Sequence, residues 1–240
     1  MKSLPKRPKP DLGLFITGTD TGVGKTWVAA AIVRSLVQRG LKVGVYKPAA
    51  SGCERVGKKL VSEDAVLLWE AAGRPGSLNH VCPQLFAAPL APHLAAEAEG
   101  KQLDEKLLRT GIEHWRERSD IVIVEGAGGL LSPLGGEKYV ADLVRDLKIP
   151  LVVVAPNRIG VINQSLQTLL AAQAYDLEVA GIILNDLLPP DASDPSIHSN
   201  PAELSRRSSA PLLTRLRHHA TKLDTIVDWL ALARPLKRRR

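Results

Sequence analysis

The chain of 240 residues is 45% hydrophobic, and its 32 Lys and Arg against 25 Asp and Glu give a net charge of +7. This composition excludes a disordered chain, and no apolar run approaches the ~18 residues of a membrane span. The basic, proline-broken first residues do not resemble a secretory signal. The two cysteines, Cys53 and Cys82, lack the spacing of a metal site or a disulfide scaffold, which predicts a reducing, cytoplasmic setting.

The excess positive charge lies at the two ends of the chain. Four basic residues fall within 1–10 and five within 234–240, so the part between them is slightly acidic. A nucleic-acid groove would instead spread basic side chains and stacking aromatics over one face, so no nucleic-acid partner is predicted. We predict one domain at 12–233 between basic tails at 1–11 and 234–240. The tails are interpreted as solvated ends, with a weak anchor to an anionic surface as the alternative.

Strand and helix patterns alternate from residue 12 onward. Apolar runs predict strands at 12–17, 41–46, 121–124, 151–155, 179–184 and 212–216. Amphipathic spacing predicts helices at 25–39, 62–72, 103–118, 139–147, 162–175, 202–207 and 221–233. The stretch 189–200 is rich in Pro, Asp and Ser and is predicted to be a loop. Continuous apolar strands separated by helices are typical of a mostly parallel sheet covered on both faces, a three-layer α/β/α fold.

A glycine-rich loop directly follows the first strand. Residues 18–26 read Gly-Thr-Asp-Thr-Gly-Val-Gly-Lys-Thr and lead into the first helix. In this context glycines let backbone N–H groups close on phosphate oxygens, and the helix N-terminus adds its positive dipole end. Lys25 can reach the β- and γ-phosphates, and the Thr26 hydroxyl can bind Mg²⁺. The motif predicts a P-loop NTPase-like fold, although Thr19 replaces the first glycine of the strict pattern.

Two further motifs follow the second and third strands. Lys47 opens Lys-Pro-Ala-Ala-Ser-Gly at the end of the second strand, where ligands bind in open parallel sheets. Its ammonium can hold an anionic reacting group while Ser51 orients it. Glu125 opens Glu-Gly-Ala-Gly-Gly after the third strand, where an NTPase places its metal carboxylate. Thr26 and Glu125 would then supply two oxygen ligands to Mg²⁺.

Four other polar residues have less specific interpretations. Asp64 lies near a helix start, and its position alone suggests an acid favoured by the helix dipole. Asn185 and Asp186 end a strand and either read a purine edge or form a turn pair. His93 is interpreted as capping a loop in preference to binding substrate.

The order of these motifs resembles the dethiobiotin synthetase family of biotin biosynthesis. The resemblance covers about residues 12–216 and rests on Gly-Thr-Asp-Thr-x-Val-Gly-Lys-Thr, Lys-Pro-x-Ala-Ser-Gly, Glu-Gly-Ala-Gly-Gly and Asn-Asp. It implies an ATP- and Mg²⁺-dependent ligase that closes 7,8-diaminononanoate with CO₂ into a cyclic urea. A carbamate and a carbamic-phosphoric anhydride are the implied intermediates. The resemblance also implies a homodimer with the substrate site at its interface.

The same resemblance implies the roles of individual residues. Lys47 would hold the carbamate, Lys25 would neutralise the γ-phosphate and Ser51 would contact the substrate. The metal ligands would be Thr26, Asp64 and Glu125, which replaces the helix-dipole interpretation of Asp64. Nucleotide contacts would come from Thr21, Gly22, Val23, Gly24, Lys25, Thr26, Trp27, Asp64, Glu125, Gly126, Ala127, Gly128, Asn185 (the adenine contact) and Asp186. The substrate carboxylate would be received across the interface by Gly160, Val161, Ile162 and Asn163.

The chain departs from the family pattern after the last strand. Thr214 and Arg217 stand where the family has a Gly and then a Pro-containing nucleotide loop, so the adenine-side contacts near 216–218 do not carry over. The main alternative function is a switch ATPase of the partition or septum-site type. Such proteins carry a signature Lys where this chain has Asp20, which disfavours that alternative. A non-catalytic nucleotide-binding module would leave Lys47 and Glu125 without a role.

Overall fold

The structure is a computed structural model that describes residues 12–116, 118–189 and 194–235. The strands are β1 Leu12–Gly18, β2 Val43–Tyr46, β3 Glu54–Val56, β4 Lys59–Val61, β5 Ile121–Gly129, β6 Pro133–Gly135, β7 Lys138–Tyr139, β8 Leu151–Pro156, β9 Val179–Asn185, β10 Leu212–Leu216 and β11 Arg234–Pro235. The α-helices are α1 Lys25–Gln38, α2 Glu63–Ala71, α3 Leu78–Val81, α4 Pro92–Ala98, α5 Glu105–Thr110, α6 Val140–Leu147, α7 Val161–Ala174, α8 Ser196–Arg207 and α9 Trp229–Leu232. A 3₁₀ helix spans Gly111–Trp115.

Six parallel strands form the central sheet in the order β10-β9-β8-β1-β5-β2. Phe15 of β1 pairs with Val124 on one neighbouring strand and with Leu151 on the other. These central strands are buried along nearly their whole length, and helices cover both faces of the sheet. The predicted three-layer α/β/α fold is therefore confirmed. The hairpins β3–β4 and β6–β7 and the helices α3 and α4 were not predicted, and His93 lies in the first turn of α4.

The predicted helix at 103–118 is wrong in its length and type. The α-helix ends at Thr110, and the 3₁₀ helix follows it. The Tyr46 hydroxyl contacts the carbonyl oxygens of Leu107 and Leu108 at 2.7 and 3.2 Å. A Cβ at Gly111 would overlap this tyrosine ring. The close approach of Tyr46 from β2 therefore coincides with the end of the α-helical hydrogen-bond pattern.

The predicted loop at 189–200 is wrong for its last five residues, because α8 begins at Ser196. Pro201 lies inside this helix and cannot donate a hydrogen bond to the Ile197 carbonyl. Asn157 Nδ2, from the end of β8, donates to that carbonyl at 3.3 Å. Asn200 is buried and donates to Asn157 Oδ1 at 3.0 Å. The side chain of Asn157, which lies outside the helix, thus supports a helix that Pro201 disfavours. Residues 190–193 lie outside the described part of the chain.

The predicted closing helix at 221–233 is also wrong, since only α9 is helical there. The preceding segment bonds to β10 instead. Thr225 N donates to Thr214 Oγ1 at 3.1 Å, and Asp224 N donates to the Arg215 carbonyl at 3.0 Å. These bonds to the edge strand take the place of a helical pattern.

The fold continues past the predicted domain boundary at residue 233. β11 pairs antiparallel with the start of β1, and Arg234 forms an ion pair with Glu178 at 2.6 Å. The predicted tail segments 1–11 and 236–240 lie outside the described residues. None of the described helices combines the length and the apolar character that a membrane crossing requires.

Candidate active site

The glycine-rich loop connects β1 to α1 as the sequence predicts. Gly24 caps α1 with a φ of 82°, in the left-handed region, and its carbonyl accepts a hydrogen bond from Val28 N at 3.1 Å. A Cβ at Gly24 would overlap the side-chain amide of Asn185. Both the backbone conformation and the packing therefore require glycine here. The first-turn N–H groups of α1 are left open toward the loop, the arrangement that binds phosphate.

The side chain of Lys25, the first residue of α1, folds back onto this loop instead of projecting into solvent. Its ammonium donates to the Asp20 carbonyl at 3.2 Å, and its side chain is buried. Burial lowers the pKa of Lys25, and the negative charge of Glu125 opposes this without reversing it. An anion held by the loop would stabilise the charged form. The loop is thus electrostatically suited to a phosphate group.

Three of the predicted site residues meet around Lys47. Its ammonium lies 2.6 Å from Glu125 Oε1 and 2.8 Å from Asp64 Oδ2. The side chains of Lys47 and Glu125 are only 5% and 1% exposed, whereas that of Asp64 is 48% exposed. Thr26 Oγ1, from the first turn of α1, donates to the same Glu125 oxygen at 2.8 Å. Residues from α1, β2, α2 and β5 therefore converge on one point beside the P-loop.

The pairing of these groups fixes their charges. Burial works to lower the pKa of Lys47, but the carboxylates of Glu125 and Asp64 outweigh it and raise that pKa. Burial likewise works to raise the pKa of Asp64, but the ammonium of Lys47 outweighs it and lowers that pKa. Lys47 is held here as a cation and Asp64 as an anion.

The loop that carries Lys47 is held by a neighbouring stretch of chain. Lys47 N donates to the Val81 carbonyl at 2.7 Å, and Ala50 forms a parallel bridge with Leu85. Ser51 follows on the same loop and is partly exposed. This backbone pairing extends the end of β2 and positions Lys47 and Ser51 at the carboxyl edge of the sheet.

The oxygen atoms around Lys47 fit a magnesium ion. Thr26, Asp64 and Glu125 supply only hard oxygen ligands, and Glu125 Oε2 is buried with no hydrogen-bond partner among the described residues. The described chain holds no group of three or more His, Cys, Asp and Glu placed to bind a metal. A site with two carboxylates and a hydroxyl suits Mg²⁺, which in nucleotide sites takes few protein ligands together with water and phosphate oxygens.

The glycine run after Glu125 turns tightly beside the P-loop. β5 extends past its predicted end at residue 124, and Gly129 pairs with Gly18. Gly128 has a φ of 69°, and a Cβ there would overlap Ser132 Oγ. The Ser132 hydroxyl in turn accepts a hydrogen bond from Gly129 N at 2.7 Å. Gly128 thus lets the turn close on Ser132 next to the P-loop.

Asn185 and Asp186 make different contacts at the end of β9. Asn185 Nδ2 donates to the Val23 carbonyl of the P-loop at 3.0 Å. Asp186 accepts hydrogen bonds from Arg215 Nε at 2.9 and 2.8 Å and from Asn157 Nδ2 at 2.9 Å. The structure therefore brings Asn185 to the loop and commits the Asp186 carboxylate to an ion pair.

Sequence analysis missed Asn157 and Arg215 at this edge. Asn157 directly follows β8 just as Asn185 ends β9, so the recurrence of Asn at two adjacent strand ends was an available signal. Arg215 gave no such signal, because it lies within β10 and its pairing with Asp186 depends on the strand order.

Trp27 links α1 to the segment that departs from the family pattern. Its indole N–H donates to the Ala220 carbonyl at 2.7 Å, and the Arg34 guanidinium lies 5.9 Å from the ring centroid. The Trp27 indole is thus hydrogen-bonded to the segment at residue 220.

The remaining predicted group lies at the start of α7. Gly160 caps this helix with a φ of 91°, Val161 is buried, Ile162 is partly buried and Asn163 is exposed. No hydrogen bond or ion pair among the described residues joins these four residues to the Lys47 cluster.

The sheet order, the glycine-rich loop that caps α1 and the acid Glu125 on the adjacent strand β5 define a P-loop NTPase-like protein. Among solved structures, the signal recognition particle receptor FtsY of Elizabethkingia anophelis with GDP has a TM-score of 0.56 at 16% identity, covering 95% of this chain and 63% of that chain. The MinC:MinD complex of Aquifex aeolicus has a TM-score of 0.50 at 16% identity, covering 86% of this chain and 81% of that chain. At these identities the likeness shows the fold alone.

Sequence relatives identify the family. A family model described as an AAA domain matches residues 12–221. The ATP-dependent dethiobiotin synthetase BioD of Rhodopirellula baltica is 41% identical, covering 85% of this chain and 83% of the relative. The protein of the same name from Bacillus subtilis is 36% identical, covering 84% and 85%. The chain belongs to the dethiobiotin synthetase family, which confirms the family resemblance of its motifs.

Proposed function

We propose that the protein uses ATP to close 7,8-diaminononanoate and CO₂ into the cyclic urea dethiobiotin. The observation that carries this proposal is the convergence of Lys47, Glu125, Asp64 and Thr26 beside the loop that holds Lys25. A phosphate loop alone would serve any NTPase. A buried lysine at its edge supplies a fixed cation for a second, carboxylate-like reactant.

The reaction proceeds in three steps. One amine bonds to the carbon of CO₂ and loses a proton, which gives a carbamate. A carbamate oxygen attacks the γ-phosphorus and ADP leaves, which gives a carbamic-phosphoric anhydride. The second amine attacks the carbamate carbon and loses a proton, and phosphate leaves with the electrons of the broken C–O bond. None of these steps needs a covalent bond to the protein, so catalysis depends on positioning and charge neutralisation.

The proposed roles follow from the positions of the charged groups. The P-loop amides and Lys25 bind the ATP phosphates, and Lys25 neutralises the γ-phosphate. Lys47 holds the carbamate as a fixed cation, since two carboxylates keep it charged. Thr26, Asp64 and Glu125 would hold Mg²⁺, which when bound neutralises charge on the phosphate oxygens. Asn185 holds the P-loop through the Val23 carbonyl and lies on the side where the adenine base is proposed to bind.

A switch ATPase remains the alternative class, and phosphate release separates it from the proposal. With MgATP and bicarbonate, we expect phosphate release that depends on added 7,8-diaminononanoate. The reason is that the carbamate, and not water, is the attacking group. Release measured at equal rates with and without the diamine would favour the switch ATPase and contradict the proposed reaction.

We predict that Glu125→Ala weakens nucleotide binding in the presence of Mg²⁺ by at least about tenfold, because it removes a buried oxygen ligand. Titration calorimetry with ADP, with Mg²⁺ and with EDTA, measures the difference. In EDTA we expect the variant and the wild type to bind alike. Glu54→Ala, an exposed change on β3, is the control. Equal Mg²⁺ dependence in Glu125→Ala and wild type would remove Glu125 from the metal site.

We also propose a homodimer formed through α7. On α7, the partly buried Ile162 and Leu166 and the 65% exposed Leu170 follow one another at helical spacing, and Ile159, just before the Gly160 cap, is 77% exposed. This apolar stripe runs along α7 from the Gly160 cap. In the proposed dimer, a second copy packs on this stripe and the start of α7 serves the Lys47 cluster of the partner subunit.

We predict that Leu170→Asp converts the dimer to a monomer, because a carboxylate would be desolvated in the apolar interface. Light scattering measures the mass. Turnover is expected to fall roughly tenfold or more if the site is shared between subunits. Val56→Asp, at an exposed apolar residue on β3, is the matched control and should leave the mass unchanged. A monomeric mass for the wild type would contradict the proposed dimer.

A further inference from the structure

A pocket lies on the outer face of α1, between this helix and the segment that leads into α9. Its volume is about 260 Å³. Arg34 and Arg39 line it from α1, and Lys222, Leu223, Ile226 and Trp229 line it from the other side. None of its lining residues belongs to the candidate active site.

The charged side chains of this pocket have no counter-ion. Its described lining includes three cations, Arg34, Arg39 and Lys222, and no acidic residue. In the described part of the chain none of the three forms an ion pair or a side-chain hydrogen bond. Arg34 Nη1 is buried without an acceptor. Three uncompensated positive charges around one concave site favour a negatively charged group there.

The opposite wall of the pocket is apolar. Leu223 is partly exposed there, Ile226 is fully exposed, and the buried Trp229 lies behind them. The predicted helix at 221–233 would have placed these residues on a helix face. Instead, the bonds of Thr225 and Asp224 to β10 hold an irregular segment whose apolar side chains border the pocket. Apolar side chains beside three cations suit a ligand that has both an apolar part and a negatively charged group.

We propose that this pocket binds an aliphatic monocarboxylate. The carboxylate lies among Arg34, Arg39 and Lys222, and the aliphatic chain lies against Leu223 and Ile226. Two sources carry this chemistry: a medium-chain fatty acid, and dethiobiotin itself, which has a carboxylate on an aliphatic chain. Only the second source rests on the proposed function.

Titration calorimetry with octanoate tests the proposal. We expect octanoate to bind wild type and the double variant Arg39→Gln/Lys222→Gln to bind it about tenfold more weakly, because two carboxylate partners are lost. Lys106→Gln, an exposed lysine on α5, is the matched control and should bind like wild type. Octanamide, which lacks the charge, should bind wild type more weakly than octanoate does. All three changed residues are exposed, so thermal unfolding midpoints should stay close to that of wild type.

The stoichiometry with dethiobiotin separates the two sources. Two equivalents per chain in wild type and one in the double variant would support the pocket with the product as its ligand. One equivalent in both proteins, with octanoate binding still lost in the double variant, would support a fatty acid. If wild type does not bind octanoate, or binds it no more tightly than the double variant does, the proposal is overturned. The octanoate result does not depend on the reaction that the enzyme catalyses.

Discussion

Lys47→Ala is expected to abolish turnover while nucleotide still binds. The ammonium of Lys47 is the only cation that the structure places on both Glu125 and Asp64 among the described residues. Without it, the carbamate would lose the fixed cation that is proposed to hold it beside these two carboxylates. The P-loop contacts, including the hydrogen bond from Lys25 to the Asp20 carbonyl, lie outside this change. Single-turnover phosphate release and ATP calorimetry measure the two properties separately.

The same substitution should also destabilise the fold. Glu125 is 1% exposed and would be left without its ammonium partner. Breaking a buried ion pair in this way costs about 3–5 kcal/mol. Lys47→Arg keeps a cation beside Glu125, so it should retain most of the stability while misplacing the charge and slowing turnover. Wild-type turnover in Lys47→Ala would contradict the proposed role of Lys47. A stable but inactive Lys47→Arg would support it.

Gly24→Ala is expected to eliminate nucleotide binding. The substitution forces a side chain into a backbone conformation with a φ of 82° and places its Cβ against the amide of Asn185. The loop must then move, and its N–H groups lose their alignment toward phosphate. Gly40→Ala is the control, because Gly40 has a φ of 80° with open space around it. That change should cost only about 1 kcal/mol of stability and leave nucleotide affinity unchanged.

A second variant separates the overlap from the backbone strain at Gly24. Gly24→Ala/Asn185→Ala removes the amide that the new Cβ would meet. We expect it to recover part of the nucleotide affinity, with the backbone strain and the lost bond to the Val23 carbonyl limiting the recovery. Wild-type affinity in the single variant Gly24→Ala would show that the loop tolerates a side chain here. It would contradict the packing argument.

The strand pattern and the phosphate loop were predictable from local sequence. Continuous apolar runs mark strands that are buried on both faces, and the six strands of the parallel sheet were all predicted, most to within two residues. The Gly-Lys-Thr loop and Glu125 follow such strands directly. Parallel strands end at one edge of the sheet, so polar residues at these ends were predictable as neighbours.

The remaining features depend on contacts between residues far apart in the chain. Helix α8 contains Pro201, and Asn157 from another element supplies the hydrogen bond that this proline cannot make. The segment before α9 forms no helix because Thr225 bonds to β10. Such a bond competes with local helix propensity only after the strand is in place, so periodicity does not reveal it.

The charged residues of the site could be predicted from the sequence, but the contacts between them could not. The residue types at the strand ends, Lys47 and Glu125, were visible in the sequence as candidates for binding an anion and a metal. Their direct contact, and the commitment of Asp186 to Arg215, were not. Strand order determines which side chains meet at the sheet edge, and a buried charge must then pair with the opposite charge that this order places beside it.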